Sequence, residues 1–408
     1  MMPETQPLQE DKEPNNTCLS FMGGGAKGFV HIGVMLELDR LGLLDKFTRV
    51  SGSSVGAIGA LLMASGKSPS ELREILTGLN LNKLVHHDLG IWSIFRLLTR
   101  FGLLDAPKLS IWLGDIVESV TGNRNATFAQ WHAIRVQHPE RHMRDLFIDA
   151  CNVNTRFNET FSYLSKEHQH DPIVKVIRGS MAIPLYFTPE IIGGFLYADG
   201  GLQNNSPINI FNENIDEALG IWLDDGQAPK HLKTVKGFTD YLASIIDASL
   251  NTQSFAMLSP EYQKRMIVCQ TKGISTFKFD LTPDEKQELI SAGRLGIAKY
   301  FIQNYPTFAK RYYPAKFLNA QSTPDLEKEL SEVIRSFEAI GSTPSPSLKI
   351  EDAAQSSSSD KLPSPTVTRP SYISYFSLRA WWQYFRPTQP SNKTQSPQRT
   401  HKPKTTHP

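Results

Sequence analysis

The sequence predicts an α/β fold with a mainly parallel central sheet flanked by connecting helices. Three observations carry that prediction. A short apolar run, a glycine-rich turn and an apolar helical stretch follow one another twice before residue 66. Of the 408 residues, 40% are hydrophobic and 21% charged, enough apolar material for one large core. No run approaches the ~18 consecutive apolar residues that a bilayer-crossing helix requires, so any membrane contact is expected to be peripheral.

The elements follow in order. Residues 1–16 are a polar leader with Glu4, Glu10, Asp11 and Glu13 against Lys12, the reverse of a cationic secretory signal, and none is expected. Thr17 to Met22 reads as a short buried strand ending at a glycine cluster. From Gly28 to Leu41, Val30, Val34, Leu38 and Leu41 recur near the 3.6-residue period, which predicts a helix that Gly42 stops. Arg49 to Ser51 ends a second strand, Gly52 to Gly56 is a second tight turn, and Ala57 to Ser65 is a second helix closed by Gly66. Residues 67–145 read as mainly helical. They contain an apolar segment, Leu89 to Leu104, interrupted by Arg96 and Arg100, which fits either a lid or interfacial patch or an ordinary core helix pair. Leu146 to Val153 and Thr160 to Leu164 return to strand composition, and Phe195 to Ala198 is a strand ending at Asp199. Thr323, Pro324 and the stripe Leu326, Leu330, Val333, Ile334, Phe337 and Ile340 predict a terminal helix stopped by Gly341.

A net charge of +2 argues against a nucleic-acid partner on charge alone, but the charge is unevenly placed. From Gly341 onward there are nine Lys/Arg and three Asp/Glu in a background of Ser, Thr, Pro and Gln, so residues 342–408 read as a disordered basic tail. Within it, residues 371–386 hold seven aromatics in sixteen positions. On a helix, Tyr375, Leu378, Trp382 and Phe385 share one face, with Arg379, Gln383 and Arg386 on another. That pattern fits peripheral membrane contact through Trp381, Trp382, Tyr384, Phe385 and Arg386, or a segment that folds into a protein groove. Cys18, Cys151 and Cys269 are odd in number and widely spaced, so neither a disulfide framework nor a metal site is expected.

The chemistry concentrates at two turns and one aspartate. Gly52-Ser53-Ser54-Val55-Gly56 is a G-x-S-x-G turn between strand and helix, which presents Ser54 at the carboxyl edge of the sheet and at a helix amino terminus. Gly23-Gly24-Gly25-Ala26-Lys27-Gly28 supports two readings. As G-x-G-x-x-G it is a dinucleotide loop, with Asp45 as a poorly placed ribose-binding acid. Otherwise its bare amides form an anion hole for a tetrahedral intermediate, with Lys27 adding positive charge. A serine nucleophile needs a base. After Asp199 only His231, His401 and His407 remain, the first in a polar loop and the others in the tail, so a triad is poorly supported. Asp199, in the turn Asp199-Gly200-Gly201, is the better base, provided that burial raises its pKa and its carboxylate bonds directly to Ser54.

Together, GGGAKG at 23–28, GSSVG at 52–56 and DGG at 199–201 resemble the patatin-like phospholipase family, as do SMAIPLYFTP at 180–189 and YADGGLQNNSP at 197–207. The resemblance covers residues 17–305, taken as the catalytic domain, and leaves 306–341 as a helical extension. It implies a three-layer patatin-like fold and calcium-independent hydrolysis of lipid acyl esters, without a cofactor. Ser54 is then the nucleophile and Asp199 the base, giving a phospholipase A-type enzyme or a lysophospholipase acting on membrane lipid. Gly23 to Gly28 would form the oxyanion hole. Val55 is bulkier than the Ala or Gly of many members, which places acceptor geometry in question. An acyltransferase using the same dyad and a nucleotide-binding module are the alternatives. The expected location is the cytoplasm or a membrane surface, with export independent of a Sec signal and a protein activator both left open.

Overall fold

The computed structural model describes residues 13–78, 84, 91–225, 235, 237, 241, 244–245, 248–249, 258–317 and 328–335. One unit spans residues 1–343 and a second spans 344–408; the basic tail and its aromatic segment lie outside the described residues.

The first strand is β1 (Cys18–Phe21), followed by a single 3-10 turn and α1 (Phe29–Arg40). The second strand, turn and helix are β2 (Arg49–Ser53) and α2 (Val55–Ala64). Gly42 and Gly66 both adopt positive φ where the two helices were expected to stop. Next come α3 (Pro69–Thr77), α4 (Ile91–Arg100), the short strand β3 (Gly102–Leu104), α5 (Pro107–Thr121) and α6 (Phe128–Gln137). Then follow β4 (Asp145–Asn152), β5 (Phe157–Phe161), α7 (Ile173–Ser180), β6 (Leu185–Phe187), β7 (Glu190–Ile192), β8 (Phe195–Ala198) and β9 (Ala218–Asp224). The described elements end with α8 (Pro260–Gln263), β10 (Met266–Gln270), α9 (Pro283–Asn304) and α10 (Pro306–Ala309). Residues 328–335 are helical, inside the predicted terminal helix; the remainder of that helix lies outside the described residues.

The main sheet runs β10-β9-β1-β2-β4-β8-β7, with β5 also on β4; β3 and β6 form a separate pair. All four residues of β1 are fully buried. Since alternate strand residues point to opposite faces, the sheet is covered on both sides, as a three-layer α/β fold requires. The strands β10, β9, β1, β2 and β4 are parallel, whereas β5 and β8 pair antiparallel with β4, and β7 pairs antiparallel with β8. Apolar content alone carries no strand direction; connection length does. Only residues 153–156 join β4 to β5, and Gly193-Gly194, both at positive φ, join β7 to β8, and neither link is long enough for a crossover.

That mixture creates one unusual lane. A strand has only two hydrogen-bonding edges. β5 occupies one edge of β4 over Ile148–Asn152, so β2, ending at Ser53 opposite Asp149, and β8, ending at Ala198 opposite Cys151, share the other. They run toward each other, and the residues that follow them, 54 and 199, meet.

Helix α1 is clamped to α9 across glycines. A Cβ on Gly33 would lie 1.8 Å from the Ile290 carbonyl oxygen, and one on Gly293 would lie 2.1 Å from that of Val30. Close approach seals a charge inside. Glu37, fully buried, accepts from Arg294 Nε at 2.9 Å, from Arg40 Nε at 2.9 Å and from the Tyr313 hydroxyl at 2.6 Å. Tyr313 thereby ties the segment after α10 to α1. Replacing Glu37 by Ala takes the buried carboxylate away from Arg294, Arg40 and Tyr313 together, and urea unfolding is expected to show a loss of about 3–5 kcal/mol.

Candidate active site

The Gly52–Gly56 turn folds as tightly as its glycines allow. A Cβ on Gly52 would lie 2.1 Å from the Gly56 carbonyl oxygen, and one on Gly56 would lie 2.2 Å from that of Phe21. Between them Ser54 takes φ 54° and ψ −129°, a backbone region costly for a residue with a side chain. The strain is held from outside the turn. Ser54 N–H donates to Ser180 Oγ at 3.0 Å, and Ser180 Oγ donates to the Asp149 carbonyl at 2.6 Å, so α7 and β4 together fix the elbow.

So held, Ser54 Oγ donates to Asp199 Oδ2 at 2.7 Å, while Asp199 Oδ1 accepts the Gly201 amide at 2.7 Å. The Asp199 amide in turn donates to the Ala182 carbonyl at 2.9 Å. Asp199 is 0% exposed and Ser54 7%. Burial pushes the Asp199 carboxyl up to about 7, against the opposing pull of the Ser54 hydroxyl and the Gly201 amide. Among the described residues no histidine bonds to either side chain. His31 is buried on α1 with Nε2 3.1 Å from the Met22 carbonyl, and burial lowers it to about 4. His231 lies outside the described residues.

The glycine loop lies against the same serine: a Cβ on Gly23 would come within 3.0 Å of Ser54 Cβ and 2.2 Å of Asn205 Oδ1. A Cβ on Gly28 would lie 2.6 Å from Val55 Cγ2, so the bulk of Val55 is accommodated by a missing side chain across the interface. The six residues expected to form an anion hole are not equivalent, however. Gly23 N–H donates to the Asn205 carbonyl at 2.9 Å, Ala26 N–H to that of Thr276 at 2.9 Å and Lys27 N–H to that of Gly24 at 3.2 Å. Among the described residues, the Gly24 and Gly25 amides donate to no group. The expectation that Lys27 adds positive charge at the hole needs correcting: its buried ammonium pairs with Asp225, which also accepts from Thr271 Oγ1 at 2.6 Å. Asp45 is also remote from the loop. It precedes β2, at the sheet's amino edge, where it pairs with Arg144 at 3.0 Å, whereas the glycine loop follows β1 at the carboxyl edge. A dinucleotide loop would therefore lack that acid.

Sequence reasoning missed the residues that fasten the aspartate turn. Asp149, buried at the β4 position opposite Ser53, accepts from Thr160 Oγ1 at 2.5 Å and from Asn204 Nδ2 at 2.5 Å. Asn158 Nδ2 donates to the Gly200 carbonyl at 2.9 Å. Gly200 has no room for a side chain, since its Cβ would lie 2.4 Å from the Asp149 carbonyl oxygen and 2.5 Å from Ser53 Oγ. These polar residues belong to no spacing pattern. Only the stretches 180–189 and 197–207, singled out as wholes, marked their neighbourhood.

Residues 19–212 match the patatin-like phospholipase family. An uncharacterised protein of Acanthamoeba polyphaga mimivirus, R571, is 29% identical over 294 residues, covering 70% of this chain and 93% of that protein. A cGAMP-activated phospholipase of Escherichia coli strain TW11681 is 28% identical over 212 residues, 48% of this chain and 54% of its own. Among solved structures, VipD from Legionella pneumophila superposes with a TM-score of 0.50 at 18% identity, covering 83% of this chain and 80% of that one, a likeness of fold.

The brace between Asp149 and Asn204 makes a reciprocal prediction. Asp149→Asn turns an amide against the Asn204 amide, and Asn204→Asp sets two carboxylates face to face. Each is expected to cost about 1–3 kcal/mol in thermal or urea unfolding. The double variant restores a donor opposite an acceptor, so the cycle should give a favourable coupling of about 1 kcal/mol or more.

Proposed function

Residues 19–212 of this chain are a patatin-like phospholipase domain, and from that premise we propose that Ser54 and Asp199 are the dyad of a lipid acyl hydrolase acting on membrane phospholipid or lysophospholipid. The family is one of lipid-hydrolysing esterases. The observation that carries the finer reading is the 2.7 Å hydrogen bond from the Ser54 hydroxyl to a fully buried carboxylate whose pKa is raised to about 7. An aspartate at its ordinary value is too weak a base to take a serine proton. Burial narrows that deficit.

In the reaction we propose, Ser54 Oγ attacks the ester carbonyl carbon while Asp199 takes its proton. The resulting oxyanion is met by the Gly24 and Gly25 amides, whose lack of an acceptor among the described residues supports that role. The amino terminus of α2 adds favourable potential there. Collapse breaks the bond to the alkoxide, to which Asp199 returns the proton, leaving an acyl-Ser54 ester and a lysolipid. Water then attacks the acyl carbon, its proton passes to Asp199 and on to Ser54 Oγ, and a fatty acid departs. Gly23, Ala26, Lys27 and Gly28 shape the loop in this reading, and Gly52, Ser53, Val55, Gly56, Gly200 and Gly201 hold the two turns. We take residues 17–305 as the catalytic unit. Among the described residues no helix is long and apolar enough to cross a membrane. The reading makes the protein a peripheral visitor to the lipid.

Incubation with mixed membrane phospholipids is expected to release free fatty acid and lysolipid, identified by mass spectrometry. Ser54→Ala should reduce turnover by about 10⁴-fold or more while leaving the fold intact. Retained hydrolysis would refute the assignment, and acylated alcohol in place of free fatty acid would move it to acyl transfer by the same dyad.

A further inference from the structure

The apolar segment with its arginines, open between a core helix pair and an interfacial patch, resolves unequally in the structure. On α4 and the residue after it, Phe95, Leu98 and Phe101 are 59%, 72% and 58% exposed. Phe95 and Leu98, three apart, share one side of the helix and Phe101 follows directly after its end, while Ser93 is buried. Three large apolar side chains, each more than half exposed, within seven residues are a feature that a stable surface does not ordinarily carry. Phe101 is moreover held at φ 62°, a conformation that phenylalanine rarely adopts, where the helix breaks into β3. The charge around the stripe is net positive: between residues 89 and 108, Arg96, Arg100 and Lys108 stand against Asp105, which pairs with Arg100 at 3.6 Å.

The stripe is also fixed relative to the site. Arg96 Nη1 donates to the Leu103 carbonyl at 2.8 Å, joining α4 to β3. β3 pairs with β6, and Thr188 N–H donates to the Leu104 carbonyl at 2.8 Å. Buried Arg178 donates to the carbonyls of Asp105 at 2.6 Å and Ala106 at 3.1 Å. Arg178 lies two residues before Ser180, which holds the Ser54 amide, and Ala182, just ahead of β6, holds the amide of Asp199. The patch, the elbow and the aspartate are therefore parts of one braced unit.

We infer that the Phe95–Leu98–Phe101 face is the surface that seats the protein on an anionic bilayer. The inference rests on the lipid-hydrolase reading for why a bilayer should be met at all. Aromatic and aliphatic side chains enter the headgroup zone, the flanking cations meet anionic lipid, and the bracing presents the site to the bilayer in a set orientation.

Cosedimentation of the full-length chain with phosphatidylcholine vesicles containing phosphatidylglycerol tests this, beside hydrolysis of a water-soluble short-chain ester. The variant F95S/L98S/F101S is expected to lose ~10-fold or more of vesicle partition while hydrolysing the soluble ester within about twofold of the parent. Leu98→Ser, at the most exposed position, should show an intermediate loss and decides the matter if the triple variant fails to fold. Unchanged vesicle binding in the folded variants overturns the inference. So does a parent dimer that the substitutions dissociate without altering vesicle binding, because the face then belongs to a second copy. A parent without esterase activity would count against the dyad but not against the surface, since the partition comparison decides that alone.

Discussion

Two strands that run head-on in one lane of the sheet are the constraint on which the site depends. β2 ends opposite Asp149 and β8 ends opposite Cys151, both on the same edge of β4, so Ser54 and Asp199 are brought together by backbone pairing before any side-chain preference acts. Each flanking glycine then has a mechanical reason. Gly52, Gly56, Gly23 and Gly200 stand where a Cβ would overlap a neighbouring backbone or side-chain atom, so the turns close to hydrogen-bonding distance only without side chains. The strained Ser54 backbone is what remains after those approaches are satisfied, and Ser180 holds it there.

The same closeness sets the electrostatics. Asp199 is cut off from water and has two donors, the Ser54 hydroxyl and the Gly201 amide, and no cation among its partners. Burial therefore outweighs the hydrogen bonds, and the carboxyl rises to about 7. A paired lysine would have reversed that outcome, which gives the Lys27–Asp225 pair a consequence: it consumes the loop's ammonium away from the aspartate. By contrast, Glu37, equally buried, is surrounded by Arg294, Arg40 and Tyr313 and serves packing rather than chemistry.

What the sequence made legible was local. The turns at 23–28 and 52–56 were readable because glycine at close approach leaves a mark in spacing, and α1 because Val30, Val34 and Leu38 recur near the helical period, although the helix is buried on nearly every side. Strand direction was not readable at Phe195–Ala198, since a short apolar run pairs either way and only the Gly193-Gly194 link decides it. Nor was the fate of Lys27, whose partner lies 198 residues away in sequence. The roles of Ser180, Asn158 and Asn204 were not legible for a related reason, although Ser180 and Asn204 fall in the stretches 180–189 and 197–207: a hydroxyl or amide that fastens a loop needs no periodic neighbours. The division of labour within Gly23–Gly28 likewise depended on acceptors at Asn205 and Thr276, far along the chain.

The central claim is that ionised Asp199 activates Ser54. It is tested most directly by the rate at which a short-chain fluorophosphonate labels the protein as a function of pH, with the adduct mapped by peptide mass spectrometry. Deprotonation of a carboxyl raised to about 7 predicts labelling confined to Ser54, weak at pH 5, rising through a midpoint near 7 and level above it, and lost in Asp199→Asn. Labelling that is independent of pH across this range, that persists in Asp199→Asn, or that falls on another residue would contradict the account.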